Sequence, residues 1–363
     1  KKDKRITRAR QFLLTNCSLL KPVYSIRDSR SIRSKCIRWK KPTEIRQFDC
    51  NFVMKRKIVV DVDVGTDDYL ALLYLLDVEK RGDLEILGII CTGGNAALDY
   101  VAVNVVRLLE TLGRTDIPVY KGCKNQIILH KDTTLRYHGE DGLGDLEYDR
   151  SPDLSIIKDV PAAIGIHDIV KLAPNEVTMV CLGPLTNLAL ALKLYHELNS
   201  TIKEVWLMGG NYTGVGNVSC AAEFNFHYDP EAAYIVLENL KCPIYIFPWE
   251  ACLVPEIPIN WRFETLGNCT PELDVLTAAE KTLATKHNLE HWLPCDAFLA
   301  FCFAAPQRHI TKSSSHHATV ELHGESTRGQ VVLDHLKKNV PNVVIIEDIN
   351  RDLFMEEMLK LRK

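Results

Sequence analysis

Four carboxylates fall within eight residues, Asp61, Asp63, Asp67 and Asp68, in the run Ile58-Val59-Val60-Asp61-Val62-Asp63-Val64-Gly65-Thr66-Asp67-Asp68. Carboxylates this crowded repel one another unless a cation is shared or some keep a proton. Hard oxygen donors in that number suit Ca²⁺ or Mg²⁺. The plainer alternative is one Asp capping a helix among solvated turn residues. The flanking residues say which elements must position the cluster. Ile58 to Val60 is β-branched and uncharged, as a buried parallel strand should be. Gly65 permits a sharp turn and a close backbone approach. A helical pattern then opens at Asp67 and runs through Tyr69-Leu70-Ala71-Leu72-Leu73-Tyr74-Leu75-Leu76. The carboxylates therefore stand at the C-terminal end of a strand, where open α/β sheets bind ligands.

The same order of strand, tight turn and helix recurs along the chain. Leu84 to Cys91 ends in Thr92-Gly93-Gly94-Asn95, and a helix with Val101, Val105, Leu108, Leu109 and Leu112 on one face follows. Ile117 to Tyr120 is a short strand, and residues 121–152 hold little periodicity but contain His138-Gly139-Glu140-Asp141-Gly142-Leu143-Gly144. A connection of that length is usually functional or mobile. Ala162 to Leu172 reads as a helix, Val177 to Leu182 as a strand ending in Gly183-Pro184-Leu185-Thr186-Asn187, with a helix on to about Leu198. Glu204 to Met208 is a strand ending in Gly209-Gly210, and a polar loop from Asn211 leads to Glu223-Phe224-Asn225. Asp229-Pro230-Glu231 starts a helix, with Asp at N-cap and Pro at N1. Pro243 to Phe247 is a strand, 270–293 a helix bearing His287, His291 and Trp292, and a further helix begins near Pro294-Cys295-Asp296. Thr319 to Leu322 and Gly329 to Leu333 suggest a small antiparallel pair, Val343 to Ile346 a last strand, and 350–361 a closing helix. The expected fold is α/β, with a mostly parallel, doubly wound sheet and helices on both faces.

Composition narrows the function classes. The chain has 363 residues, 46% of them hydrophobic, which suffices for a large core. The net charge of −3 hides an asymmetry: residues 1–57 carry 18 Lys and Arg against 4 Asp and Glu, and the remainder 26 against 43. Residues 1–56 are thus expected to be a basic leader, disordered or outside the functional chain, with the main domain over 57–363 and a natural start near Met54. An acidic body argues against nucleic-acid binding. The 12 cysteines form no CxxC pair, and Cys91 and Cys181 lie inside apolar strands, which suits a reducing compartment. No apolar run is long enough for a membrane span. A cytoplasmic protein is expected, with mitochondrial targeting by the basic leader left open. Sequons at Asn211 and Asn217 are read as chance matches.

Taken together, these motifs resemble the inosine-uridine type nucleoside hydrolase family over about residues 57–361. The DxDxGxDD box is Asp61 to Asp68, with Val64 where proline is usual. Gly94-Asn95, Gly183 to Asn187, Met208-Gly209-Gly210, Glu223-Phe224-Asn225 and Asp229 to Ala233 follow in the family's order. The resemblance implies hydrolysis of the N-glycosidic bond of a ribonucleoside to base and ribose, with one tightly held Ca²⁺. Its ligands would be Asp63, Asp68, the Leu182 carbonyl and Asp296. Asp67, Asn95, Asn217, Glu223 and Asn225 would bind ribose hydroxyls, and Asp296 would face the substrate as well as the ion. Asp63 would act as both ligand and general base, with Asp61 in support. A homodimer or homotetramer is implied.

One departure concerns the leaving base. Many members carry histidine directly before the last metal-binding aspartate, where this chain has Cys295. A thiol with an ordinary pKa near ~8.5 can give up a proton, but imidazole is better matched to neutral pH. Cys295 and His138 are therefore the candidates for assisting the departing base. His227, His287 and His291 are further possibilities, the last two expected on one helix face. Phe224 and Trp292 could stack on a base, or pack in the core. Two other readings compete. A family member could bind nucleoside or ribose without turnover. A haloacid-dehalogenase-like phosphatase shares the Asp61-Val62-Asp63 box, but expects Thr or Val at Gly65 and leaves Glu223-Phe224-Asn225 unexplained.

Overall fold

The structure is a computed structural model that describes residues 55–129 and 136–363. The leader up to Met54, and the expected start there, lie outside the described residues. Arg56 already belongs to the first strand, in a unit that spans Val53–Lys363.

In chain order the elements are β1 (Arg56–Val62), α1 (Thr66–Arg81), β2 (Leu84–Cys91), α2 (Leu98–Thr111), β3 (Val119–Lys121), β4 (Ile157–Lys158), α3 (Ala162–Leu172), β5 (Val177–Cys181), α4 (Thr186–Leu194) and α5 (Leu198–Thr201). There follow β6 (Glu204–Met208), α6 (Phe224–Tyr228), α7 (Pro230–Asn239), β7 (Ile244–Phe247), α8 (Trp249–Cys252), β8 (Ile257–Pro258), α9 (Pro271–His287) and β9 (His291–Trp292). The last are α10 (Cys295–Ala304), α11 (Pro306–His309), β10 (Ile310–His316), β11 (Ala318–Val320), β12 (Val331–Leu333), β13 (Val343–Ile349) and α12 (Arg351–Leu359).

One nine-stranded sheet runs in the order β10-β13-β7-β6-β5-β1-β2-β3-β4. Every neighbouring pair is parallel except β10 on β13. Alternation along the strands divides the core in two. Ile58, Val60 and Val62 face a core built with α1, α2, α9, α10 and α12, while Val59 faces one built with α3, α4 and α7. This is the doubly wound α/β fold expected, with the antiparallel β11–β12 pair beside it. The order reverses at β1, which has β2 on one side and β5 on the other. The crevice of such a sheet opens at that reversal, beyond the strands' C-terminal ends.

Two expectations need correction, and one strand was not expected at all. The 270–293 helix stops at His287, where Asn288 takes a left-handed conformation (φ 54°). Asn tolerates that conformation and ends helices there. His291 and Trp292 lie on β9, so His287 and His291 do not share a helix face. The helix expected to reach Leu198 ends at Leu194, and a separate turn, α5, follows. Strand β10 went unread, because Ile310 to His316 is a polar sheet edge without a buried face. No helix among the described residues is long and apolar enough to cross a membrane. The nine described cysteines are all free, with Cys91 and Cys181 buried.

Candidate active site

Strand β1 delivers Asp61 and its following turn delivers Asp63, both buried at the switch point. Asp61 Oδ1 accepts from Thr92 Oγ1 at 2.5 Å and from Asn187 Nδ2 at 3.2 Å. Asn187 Oδ1 in turn accepts from the Cys123 N–H at 2.8 Å. Asp61 thus ties together the turns after β2, β3 and β5. Asp63 Oδ2 accepts from the Asn95 N–H at 2.7 Å. Its side chain lies between two glycines: a Cβ on Gly94 would come within 2.1 Å of Asp63 Oδ2, and one on Gly183 within 2.6 Å of Oδ1. Those turns carry glycine because a carboxylate fills the space a side chain would need.

Asp68 does two things. Its Oδ2 accepts from the Gly65 N–H at 2.8 Å, capping α1 from the third helical position. Its Oδ1 accepts from the Asp63 N–H at 3.2 Å. One carboxylate in the box is therefore a helix cap, as the plainer reading held, but it also joins the cluster. Asp296, one residue into α10, reaches the same place, because α10 packs on α1 in one core.

A cavity of about 340 Å³ opens over these groups. Asp67, Asn95, His138, Leu182 and Asn217 line it, as do Glu223, Asn225, Cys295 and Asp296. Nine of the residues singled out in the sequence thus share one wall, while Asp63 and Asp68 lie beneath it. Arg136, Tyr137, Met208, Val218, Trp249 and Leu293 complete the lining without having been foreseen, and Phe224 joins them as proposed. Their signals were weak, since a single aromatic or Arg in a loop has no periodicity to mark it. Glu223 is the N-cap of α6: its oxygens accept from the Gly210, Asn225 and Phe226 N–H groups. Asn225 Nδ2 donates to the Leu182 carbonyl at 2.7 Å and the Met208 carbonyl at 3.1 Å, bridging the ends of β5 and β6.

The electrostatics follow from burial. Burial lifts Asp61 and Glu223 to about 7, against the hydrogen bonds that each accepts. Burial, then repulsion from Asp67, lifts Asp68 to about 7. Asp63 and Asp296 rise well above the ordinary carboxylate range, each first by burial and then by repulsion, from Asp68 for Asp63 and from Asp67 for Asp296. Carboxylates so raised are the ones that a positive charge would relieve. Oxygens of Asp67, Asp68 and Asp296 lie within 4.8 Å of one another. Asp63 Oδ1 is buried without a hydrogen-bond partner among the described residues. An all-oxygen donor set with an unpartnered carboxylate oxygen beside it fits a divalent cation. The convergence includes Asp67, expected on ribose; Asp63, expected on the ion, stands just outside it.

His138 is buried against the start of α1. The Thr66 N–H donates to Nδ1 at 3.2 Å, so the ring proton of the neutral imidazole sits on Nε2, 3.6 Å from Asp67 Oδ1. Burial lowers its pKa against the pull of Asp67. The hydrogen bond with Cys252, and then burial, push the Cys295 thiol well above its ordinary range. Cys295 Sγ also donates to the Leu293 carbonyl at 3.6 Å. The remaining histidines stand back: His287 stacks on Tyr137 at 4.3 Å, His227 faces the Arg328 carbonyl, and His291 is exposed. Trp292 is a core residue whose Nε1 donates to Glu280. Asn211 is fully buried, its amide bonded to Val215, Ala221 and Val331, which leaves no room for a glycan.

An acidic cleft at the switch point of a doubly wound sheet, with amides and a neutral histidine around it, defines a hydrolase-type α/β enzyme. The comparisons identify which. The sequence profile of the family described as inosine-uridine preferring nucleoside hydrolase matches residues 58–356, and the chain belongs to that family. It is a ribonucleoside hydrolase. The pyrimidine-specific ribonucleoside hydrolase RihA of Salmonella arizonae is 30% identical over 319 residues, 84% of this chain and 97% of that protein. A probable uridine nucleosidase 2 of Arabidopsis thaliana is 38% identical over 186 residues, a match that covers 50% of this chain and 56% of the relative. Among solved structures, an inosine-guanosine nucleoside hydrolase superposes with a TM-score of 0.77 at 26% identity, over 85% of this chain and 98% of that one. The family is metal-dependent, and the acidic cluster here accords with that. The phosphatase reading is set aside.

Proposed function

We propose that the enzyme hydrolyses pyrimidine ribonucleosides, uridine among them, with ribose at the acidic end of the cavity. The observation that carries this reading is the shared wall: nine residues expected to handle ribose, base or cation line one cavity of about 340 Å³. That is the size range of small-ligand sites. The pyrimidine preference rests on the names of the two curated relatives.

Asp63, Asp68, the Leu182 carbonyl and Asp296 would hold one Ca²⁺, with Asp67 beside it. When bound, the ion supplies Lewis acidity toward the hydroxyls of ribose and the attacking water. The chain's own residues do the rest. Asp67, Asn95, Asn217, Glu223 and Asn225 orient ribose, and Asp296 faces it. As the C1′–N bond breaks, positive charge builds on the sugar ring, and the buried carboxylates stabilise it. Asp63 Oδ1 accepts the proton of the attacking water. His138 and Cys295 face the departing base, which they assist by hydrogen bonding. The working form in this reading is a cytoplasmic homodimer or homotetramer.

The test is to incubate the purified protein with Ca²⁺ and a panel of purine and pyrimidine ribonucleosides and to measure free ribose. Uridine turned over fastest is the expected result. Faster release from inosine overturns the pyrimidine preference. Binding without release from any nucleoside replaces the reading with a non-hydrolysing homologue.

A further inference from the structure

The loop from Asn211 to Ala221 contains no helix or strand, yet it carries Asn217 and Val218 to the cavity wall. A segment of that kind has many conformations to lose, so something must hold it if Asn217 is to stand in one place. At its root, Asn211 Nδ2 donates to the Ala221 carbonyl at 2.6 Å and closes the loop across its base. Past Asn217, the N–H groups of Asn217 and Val218 turn onto the Ala222 carbonyl at 3.2 and 3.4 Å. The outward limb has a different anchor. Glu250 Oε1 accepts from the Thr213 N–H and Thr213 Oγ1, each at 2.8 Å, and from the Val215 N–H at 3.2 Å. Glu250 Oε2 accepts from the Tyr212 N–H at 3.0 Å.

One carboxylate thus gathers three backbone N–H groups, those of Tyr212, Thr213 and Val215, and one hydroxyl. A carboxylate has two oxygens that only accept, so all four donors can be met at once; an amide in its place would turn a donor toward one of them. Bonds to a charged acceptor are also the stronger kind. The location of Glu250 matters equally. Its neighbour Trp249 lines the same cavity, and the Trp249 N–H donates to the Gly210 carbonyl at 3.0 Å. The Gly210 N–H in turn donates to Glu223 Oε2 at 2.7 Å. A single short helix, α8, therefore joins the cavity lining through Trp249 and holds the loop that carries Asn217 through Glu250.

We infer that Glu250 is a positioning residue that sets where Asn217 stands against the substrate. The inference rests on the reading that Asn217 contacts ribose. Contacts of this kind serve ground state and transition state alike, so their loss appears in KM and not in kcat. Three variants of the full chain, assayed with uridine and Ca²⁺, test it: Asn217→Ala, Glu250→Gln and the double. Each single substitution is expected to raise KM about tenfold with kcat within about twofold, and the double to go no further than the larger single. Additive effects, or a normal KM in Glu250→Gln beside a raised one in Asn217→Ala, overturn the positioning role. A normal KM in Asn217→Ala overturns the ribose reading instead, and the inference with it. Amide exchange at Tyr212, Thr213 and Val215 gives an independent readout: protection is expected to fall at these three in Glu250→Gln, and its retention overturns the inference. Thr213→Val removes only the hydroxyl bond and leaves the carboxylate in place. It is expected to raise KM by about two- to threefold, and an unchanged value counts against the proposal even if Glu250→Gln fails to fold.

Discussion

Arg262 Nε lies 2.6 Å from Glu280 Oε2, and the Arg262 side chain is wholly shielded from solvent. The other Arg262 nitrogens donate to the Gly267 carbonyl and Thr277 Oγ1, and Glu280 Oε1 accepts from Trp292 Nε1 at 2.8 Å. Trp292 stands one residue before Leu293, which lines the cavity. The pair thus fixes the approach to Cys295 and Asp296. Breaking a buried pair by removing one partner strands the other charge. Arg262→Met is therefore expected to cost about 3–5 kcal/mol of folding stability. Urea denaturation reads this directly, and a loss within about 0.5 kcal/mol, as for a surface substitution, refutes it.

The crowded carboxylates make the cation a stability term. A ligand held at about 100 times its Kd stabilises the folded state by about 2.7 kcal/mol. Chelation is expected to lower the melting temperature and stop ribose release, with Ca²⁺ restoring both. Asp296→Asn should weaken Ca²⁺ binding by about 100-fold in calorimetry and abolish the thermal shift. A shift that persists in this variant moves the ion elsewhere.

Asp63 and Cys295 separate in kinetics. Asp63→Asn is expected to lower kcat by about 10²–10⁴-fold while circular dichroism stays unchanged. Near-normal turnover removes Asp63 as the base. The neutral, weakly acidic Cys295 thiol donates little at neutral pH, so Cys295→Ser should change kcat on uridine by only a few fold. Cys295→His should raise activity on purine nucleosides, whose bases are helped by a proton. No gain there would show that this position does not set the range of leaving groups.

His309 predicts a pH dependence of stability away from the site. It is buried, stacks on Phe301 at 3.6 Å, and bonds the Phe301 carbonyl through Nδ1. Burial lowers its pKa below the ordinary value of 6.5. The unfolded chain therefore takes up a proton near pH 6.5 while the folded chain does not. Stability is full above that pH and falls as the pH drops toward the folded value, by at most about 1.4 kcal/mol per pH unit. His309→Gln should flatten the slope of unfolding free energy below pH 6.5. An unchanged slope assigns it to other groups.

Much of this site was legible because it is local. Asp61 to Asp68 needed only a strand, a Gly turn and a helix start, each with its own pattern in the sequence, and the structure has all three. The turns at Asn95, Asn187 and Asn225 were legible for the same reason. What the chain order hides is which groups meet. Oxygens of Asp67, Asp68 and Asp296 converge, while Asp63 is held beside them by the Asn95 N–H between two glycine turns. Helix α9 was drawn too long because polar residues after His287 do not announce a left-handed Asn. Strand β10 escaped because its run of Lys and Ser has no apolar face. Glu250 escaped because a surface glutamate looks the same whether or not it holds a loop.

The packing of α10 on α1 has a consequence for how the enzyme is made. Asp68 and Asp296 are distant in sequence, and their meeting awaits the last third of the chain. While the ribosome has delivered only the amino-terminal two thirds, the carboxylates after β1 lack their partner from α10. Non-local contacts of this kind form late and slowly. On the proposed reading, the nascent enzyme cannot complete its cation site until α10 has emerged, so tight metal uptake would begin only late in synthesis.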